Sequence, residues 1–173
     1  MKRSNFDITL TYMLNRKESL AFNAIQNVEY PDQHNCILFL TAARHGYISI
    51  LNWFIQTKNL NDSIKNKAII CAIKEEKINV LEELLKLPKI NVSIDDLKLA
   101  IGLNNHKIIS LLLFHDTNNV SMVKTILKII PVDKKIVKLI EQAFIIIKAR
   151  NFLKVECLKS LGLCNDLIEL IIY

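Results

Sequence analysis

The stretch LFLTAARHGYISILNWFI, Leu38 to Ile55, decides how this chain is read. A short apolar segment closes on the small pair Ala42-Ala43. A polar break follows at Arg44-His45-Gly46-Tyr47, and a second apolar segment runs from Ile48 to Ile55. Two short helices joined by a tight turn produce this pattern. The alanines let two backbones approach closely, and Gly46 supplies a turn conformation that other residues resist.

The pattern recurs. Thirty residues after Ala42, the stretch Ala72 to Leu85 repeats the small residue, the four-residue polar break and the apolar run. Twenty-eight residues further on, Ala100 to Leu113 does so again. A second marker recurs in phase with the first: Asn59-Leu60-Asn61, Lys89-Ile90-Asn91 and Asn119-Val120-Ser121, each thirty residues from the last. Self-similarity at such a period is the mark of a repeat architecture. Residues 36–121 thereby resemble the ankyrin-repeat family, whose pattern is roughly T-P-L-H-x-A-A-x-x-G-H-x-x-V-V-x-L-L-L. Ala42, Ala43, Gly46, Tyr47, Ile50, Leu51, Trp53, Phe54 and Ile55 stand on matching places. Ile37-Leu38-Phe39-Leu40 replaces T-P-L-H, and the period is shorter than the family's value of about 33 residues, so trimmed fingers are expected.

The flanks are weaker. Tyr12-Met13 stands thirty residues before Ala42-Ala43, with Leu20-Ala21 and Ala24-Ile25 near second-helix positions, so residues 1–34 read as a degenerate capping repeat. Ser93, followed by Asp95 and Asp96, is placed to cap a helix. Ile108 to Phe114 reads as a well-covered helix. After residue 121 the phase is lost. The expectation is one all-α domain, an ankyrin-like solenoid of about four to five helix-turn-helix repeats (5–34, 35–63, 64–93, 94–121, 122–150) with a C-terminal cap at 151–173. The apolar end, Asp166 to Tyr173, is read as a docked cap or as the seam of a longer array or a weak homodimer. With only 3 Gly and 3 Pro in 173 residues, composition also favours helices.

Chemistry is sparse. No C-x-x-C pair links Cys36, Cys71, Cys157 and Cys164, which read as thiols of a reducing cytosol. His34, His45, His106 and His115 lack metal-ligand spacing, and His45 reads as a surface residue of a turn. The pairs Glu75-Glu76, Glu82-Glu83 and Asp95-Asp96 point about 100° apart on a helix and read as solvated faces. The glycines stand singly, so no phosphate loop is present. Trp53 reads as core. No apolar run is long enough to span a membrane, and no cofactor, metal or enzyme activity is expected. Charge is asymmetric: residues 121–160 hold 9 Lys or Arg against 3 Asp or Glu, an excess equal to the whole net charge of +6. Lys124, Lys128, Lys134, Lys135 and Lys138 lead that patch, a meeting place for nucleic acid or another anionic surface.

The resemblance implies a non-catalytic scaffold that binds another protein on a concave face. By register that face would hold Arg44, His45, Lys74, Glu75, Leu103 and Asn104 from the turns, and Lys58, Asn59, Asp62, Lys89, Asn91, Asp116 and Asn118 from the fingers. Such Lys-, Asn- and Ile-rich chains resemble those of intracellular bacteria and large DNA viruses, which engage host proteins. That implies a cytoplasmic protein, or one acting in a host's cytoplasm or nucleus.

Overall fold

The computed structural model describes residues 4–27, 29–88, 90–115 and 134–160. All regular structure in these residues is helical: α1 (Asn5–Leu14), α2 (Glu18–Gln26), α3 (Asp32–His45), α4 (Ile48–Thr57), α5 (Asp62–Lys74), α6 (Ile78–Leu85), α7 (Ile94–Gly102), α8 (His106–His115) and α9 (Lys134–Ser160). The chain divides into two compact units, Met1–Ile108 and Ile109–Tyr173.

Within the first unit, helices come in pairs joined by turns of two or three residues. The first helix of each pair packs on the next: α1 on α3, α3 on α5, α5 on α7. The second helices do the same, α2 on α4 and α4 on α6. Ala42, Ala43, Ala72 and Ala100 are wholly buried, which lets α3, α5 and α7 sit close. The second helices bury Ala21 and Ile25, then Ile50, Leu51 and Phe54, then Val80, Leu81 and Leu84. Leu51 and Leu81 lie thirty residues apart, as do Phe54 and Leu84, so the apolar stripe repeats with the period.

The turns repeat as well. Left-handed residues stand at Arg16 (φ 57°), Gly46 (φ 88°), Glu76 (φ 52°) and Asn104 (φ 54°). Their spacing is 30, 30 and 28. In the first three turns the next amide reaches back to a helix carbonyl: Lys17 N to Tyr12 O (2.9 Å), Tyr47 N to Ala42 O (3.0 Å), Lys77 N to Ala72 O (2.8 Å). This is the Schellman closure, which satisfies carbonyls left over at a helix end. Only one of the four positions is glycine. The other three hold a conformation that costs an L-residue about 1 kcal/mol. Arg16→Gly is therefore expected to stabilise the protein by up to about 1 kcal/mol, and Gly46→Ala to destabilise it by about 1–2 kcal/mol, both read by urea denaturation.

The finger marker has a packing role. Tyr30, Leu60 and Ile90, again thirty residues apart, are all buried just ahead of the next helix. Asn61 then caps α5 through the Ile64 amide (2.9 Å). Ser93 caps α7 in a capping box with Asp96, as Ser4 does for α1 with Asp7. Helices α3 and α5 begin at Asp32 and Asp62, slightly ahead of the repeat boundaries 35 and 64.

The second unit departs further from expectation. Helix α9 runs unbroken through the boundary placed at 150/151, because nothing between Lys134 and Ser160 is Gly or Pro. Its buried residues Ile136, Ile140, Ala143 and Ile147 recur at helical spacing. In α8, Ile108, Ile109, Leu112 and Leu113 are buried, but Phe114 is 41% exposed, so this helix is not covered all round. The third finger marker at 119–121, the start of the fifth repeat and the apolar end 166–173 lie outside the described residues.

Candidate interaction surface

Two positions in every first helix of the first unit face solvent. One row is Asp7, Ile37, Lys67 and Asp95; the other is Leu14, Arg44, Lys74 and Gly102. Members of a row are 30, 30 and 28 residues apart, and within each helix the two positions are seven residues apart, hence on one face. Leu14 (58% exposed), Ile37 (44%) and, between the rows, Ile70 (37%) are large apolar side chains left in water.

The turns adjoin this face and touch one another. The Tyr47 hydroxyl, on a buried side chain, donates to the Met13 carbonyl at 2.6 Å, tying the α3–α4 turn to the end of α1. The stem of Lys77 lies along Gly46, where an added Cβ would come within 3.3 Å of its Cδ. Asn105 donates to Glu76 Oε2 at 2.5 Å. Between His45-Gly46 and the stretch Glu76 to Val80 opens a cleft of about 360 Å³.

His45 is half-buried and stacks on Tyr47, ring centroids 5.6 Å apart and 18° between planes. It is therefore less exposed than a plain surface residue of the turn. Burial first, and then the neighbouring Arg44, Lys77 and Arg16 charges, lower its pKa below 6.5; Glu75 opposes them. The folded state thus disfavours the imidazolium. The stability that neutral His45 contributes is complete above pH 6.5 and falls away as pH drops through the lowered folded pKa. His45→Gln is expected to remove that component from the slope of stability against pH below 6.5. Burial, followed by Glu18, raises the Tyr47 pKa.

Of the residues expected at the surface, Arg44, Lys74, Glu75, Leu103 and Asn104 are exposed at the turn end, with Asn104 in the left-handed conformation. Asn59, Asp62 and Asn91 are exposed at the fingers. Asp62 pairs with Lys65 in the first turn of α5 at 3.2 Å. Lys58 is half-buried, with its ammonium 5.5 Å from the Trp53 ring, so it covers a side chain of α4. Trp53 itself is half-buried rather than core, because it stands beside the stripe that Ile50 and Phe54 bury. Lys89, Asp116, Asn118, Lys124 and Lys128 lie outside the described residues. Lys134, Lys135 and Lys138 are exposed on the first turns of α9. Sequence reading overlooked Leu14, Ile37 and Ile70, since an aliphatic residue in a helix resembles core, and it overlooked Lys67, whose register position is that of Ile37; the thirty-residue register to Arg44 was the signal that places Leu14.

No family model, curated protein or solved structure matches this chain. Among the described residues no group of three His, Cys, Asp or Glu side chains is placed to hold a metal ion. His34 stacks on Phe6 at 4.0 Å, and Cys36 and Cys71 are half-buried free thiols. No described helix is long and apolar enough to cross a membrane. The two rows offer guanidinium and ammonium donors, carboxylate acceptors and aliphatic surface, which suits recognition of a partner's side chains.

Proposed function

We propose that the first unit is an ankyrin-like, non-catalytic scaffold that binds another protein across the exposed face of its first helices. One observation carries this reading. Positions repeated every thirty residues mostly keep their apolar or small character where they are buried, with Thr9, Asn35 and Asp96 as the polar members, yet change chemistry freely where they are exposed. Asp7, Ile37, Lys67 and Asp95 share one place, as do Leu14, Arg44, Lys74 and Gly102. A fixed frame that presents different side chains at fixed intervals is a means of reading a partner's surface. The centre of the face is basic, through Arg44, Lys67 and Lys74, with Ile70 among them and Leu14 and Ile37 beside them. A partner with acidic groups around an aliphatic anchor fits it. The resemblance to Lys-, Asn- and Ile-rich ankyrin-like chains of intracellular bacteria and large DNA viruses supports placing that partner in a host cell.

The test is capture of partners by the full chain beside an Arg44→Glu, Lys67→Glu, Lys74→Glu variant of unchanged circular dichroism. A control variant carries Glu82→Lys on α6, away from the rows. The reading expects a partner held by wild type and control and lost by the triple variant. A partner retained equally by all three contradicts it. Asn104 is left intact, because lysine in its left-handed conformation would strain the turn.

A further inference from the structure

Helix α9 carries two chemistries on the side that its own core leaves uncovered. Ile136, Ile140, Ala143 and Ile147 form the buried stripe. Across the helix stand Ile145 (66% exposed), Ile146 (54%), Phe152 (64%) and Leu153 (67%), with Ala149 exposed among them. At about 1.5 Å of rise per residue this apolar patch is roughly 12 Å long. Toward the N-terminus, the same side of the helix presents exposed Lys134, Lys135 and Lys138. The whole helix holds seven Lys or Arg against two Glu.

From this we propose that α9 docks on the surface of an anionic lipid bilayer, with Ile145, Phe152 and Leu153 entering the headgroup–acyl boundary and Lys134 and Lys138 meeting lipid phosphates and carboxylates. Charge complementarity selects an anionic occupant. The apolar patch then separates a bilayer from nucleic acid, because a phosphate backbone has nothing to offer four exposed aliphatic and aromatic side chains. A bilayer interface supplies both chemistries within one layer and demands no shape match. Seven basic residues keep the helix lying on the membrane rather than across it, in line with the absence of a spanning helix among the described residues. Two weak signals acting together, an apolar patch and a basic cluster, are what reversible attachment takes. This docking is independent of the scaffold face, which belongs to the other unit.

Co-sedimentation of the full chain with phosphatidylcholine vesicles, and with phosphatidylcholine vesicles containing phosphatidylserine, tests it. Binding is expected only to the anionic vesicles, falling as salt rises. Each lysine near such a surface strengthens binding roughly fivefold, so Lys134→Glu with Lys138→Glu is expected to weaken it by about 25-fold or more. Ile145→Ser with Leu153→Ser, both on exposed sites and checked by circular dichroism, is expected to weaken it by at least about tenfold. Three results each overturn the proposal: no binding to anionic vesicles, an Ile145/Leu153 variant that binds as wild type does, or displacement of the protein from vesicles by equimolar duplex DNA.

Discussion

Replacing Phe54 with alanine is expected to destabilise the first unit by about 3–5 kcal/mol, the largest effect of any single substitution considered. Phe54 is wholly buried on α4, where it meets Phe39 of α3 edge-on at 6.1 Å and Trp53 at 5.1 Å. Truncation removes the ring's transfer free energy and leaves a cavity between two helices of one pair and the pairs beside it. Such a loss is a large fraction of the stability of an ordinary domain. The measurement is urea denaturation followed by circular dichroism and by the fluorescence of Trp53, the only tryptophan of the chain. A loss under 1 kcal/mol would mean that α3 and α4 do not share this core.

Enlarging the wholly buried Ala42 to leucine is expected to cost about 1–3 kcal/mol, from overpacking rather than from a cavity. Ala42 lies on α3, which packs on both α1 and α5, so added carbons must push apart neighbouring pairs rather than fill a gap. The same change at Ile37, an exposed site on the same helix, is a volume-neutral control and is expected to alter stability by less than 0.5 kcal/mol. Thermal denaturation of the two variants side by side separates close packing from helix propensity, since leucine is a good helix former in both.

The paired helices of the first unit were legible because their constraints are local. Ala42, Ala72 and Ala100 are small for close approach, and Gly46 holds a positive φ; both needs leave marks in composition. Arg16, Glu76 and Asn104 occupy the same left-handed turn without glycine, and only the register points to them. The finger marker was found as an Asn-rich motif, yet its working residue is the buried one in the middle, Leu60 or Ile90. The boundary between the fifth repeat and the cap was placed at 150/151, inside helix α9, where no Gly or Pro stands to end the helix.

The surface was less legible than the fold. Exposed aliphatic residues such as Leu14, Ile37 and Ile145 are indistinguishable from core until their helix face is known. Lys58 was placed on the partner face by register, and the contact of its ammonium with the Trp53 ring at 5.5 Å is not one that register describes.

A thirty-residue unit closes the helix pairs of the first unit with a left-handed residue and thereby sets the exposed rows in register. The most direct measurement is the backbone φ of Arg16, Gly46 and Glu76 in solution, from three-bond HN–Hα couplings and intraresidue HN–Hα Overhauser intensities. Positive φ is expected at all three, near 57°, 88° and 52°. A negative φ at Arg16 and Glu76, with only the glycine left-handed, would contradict the repeat and with it the rows that the proposed partner reads.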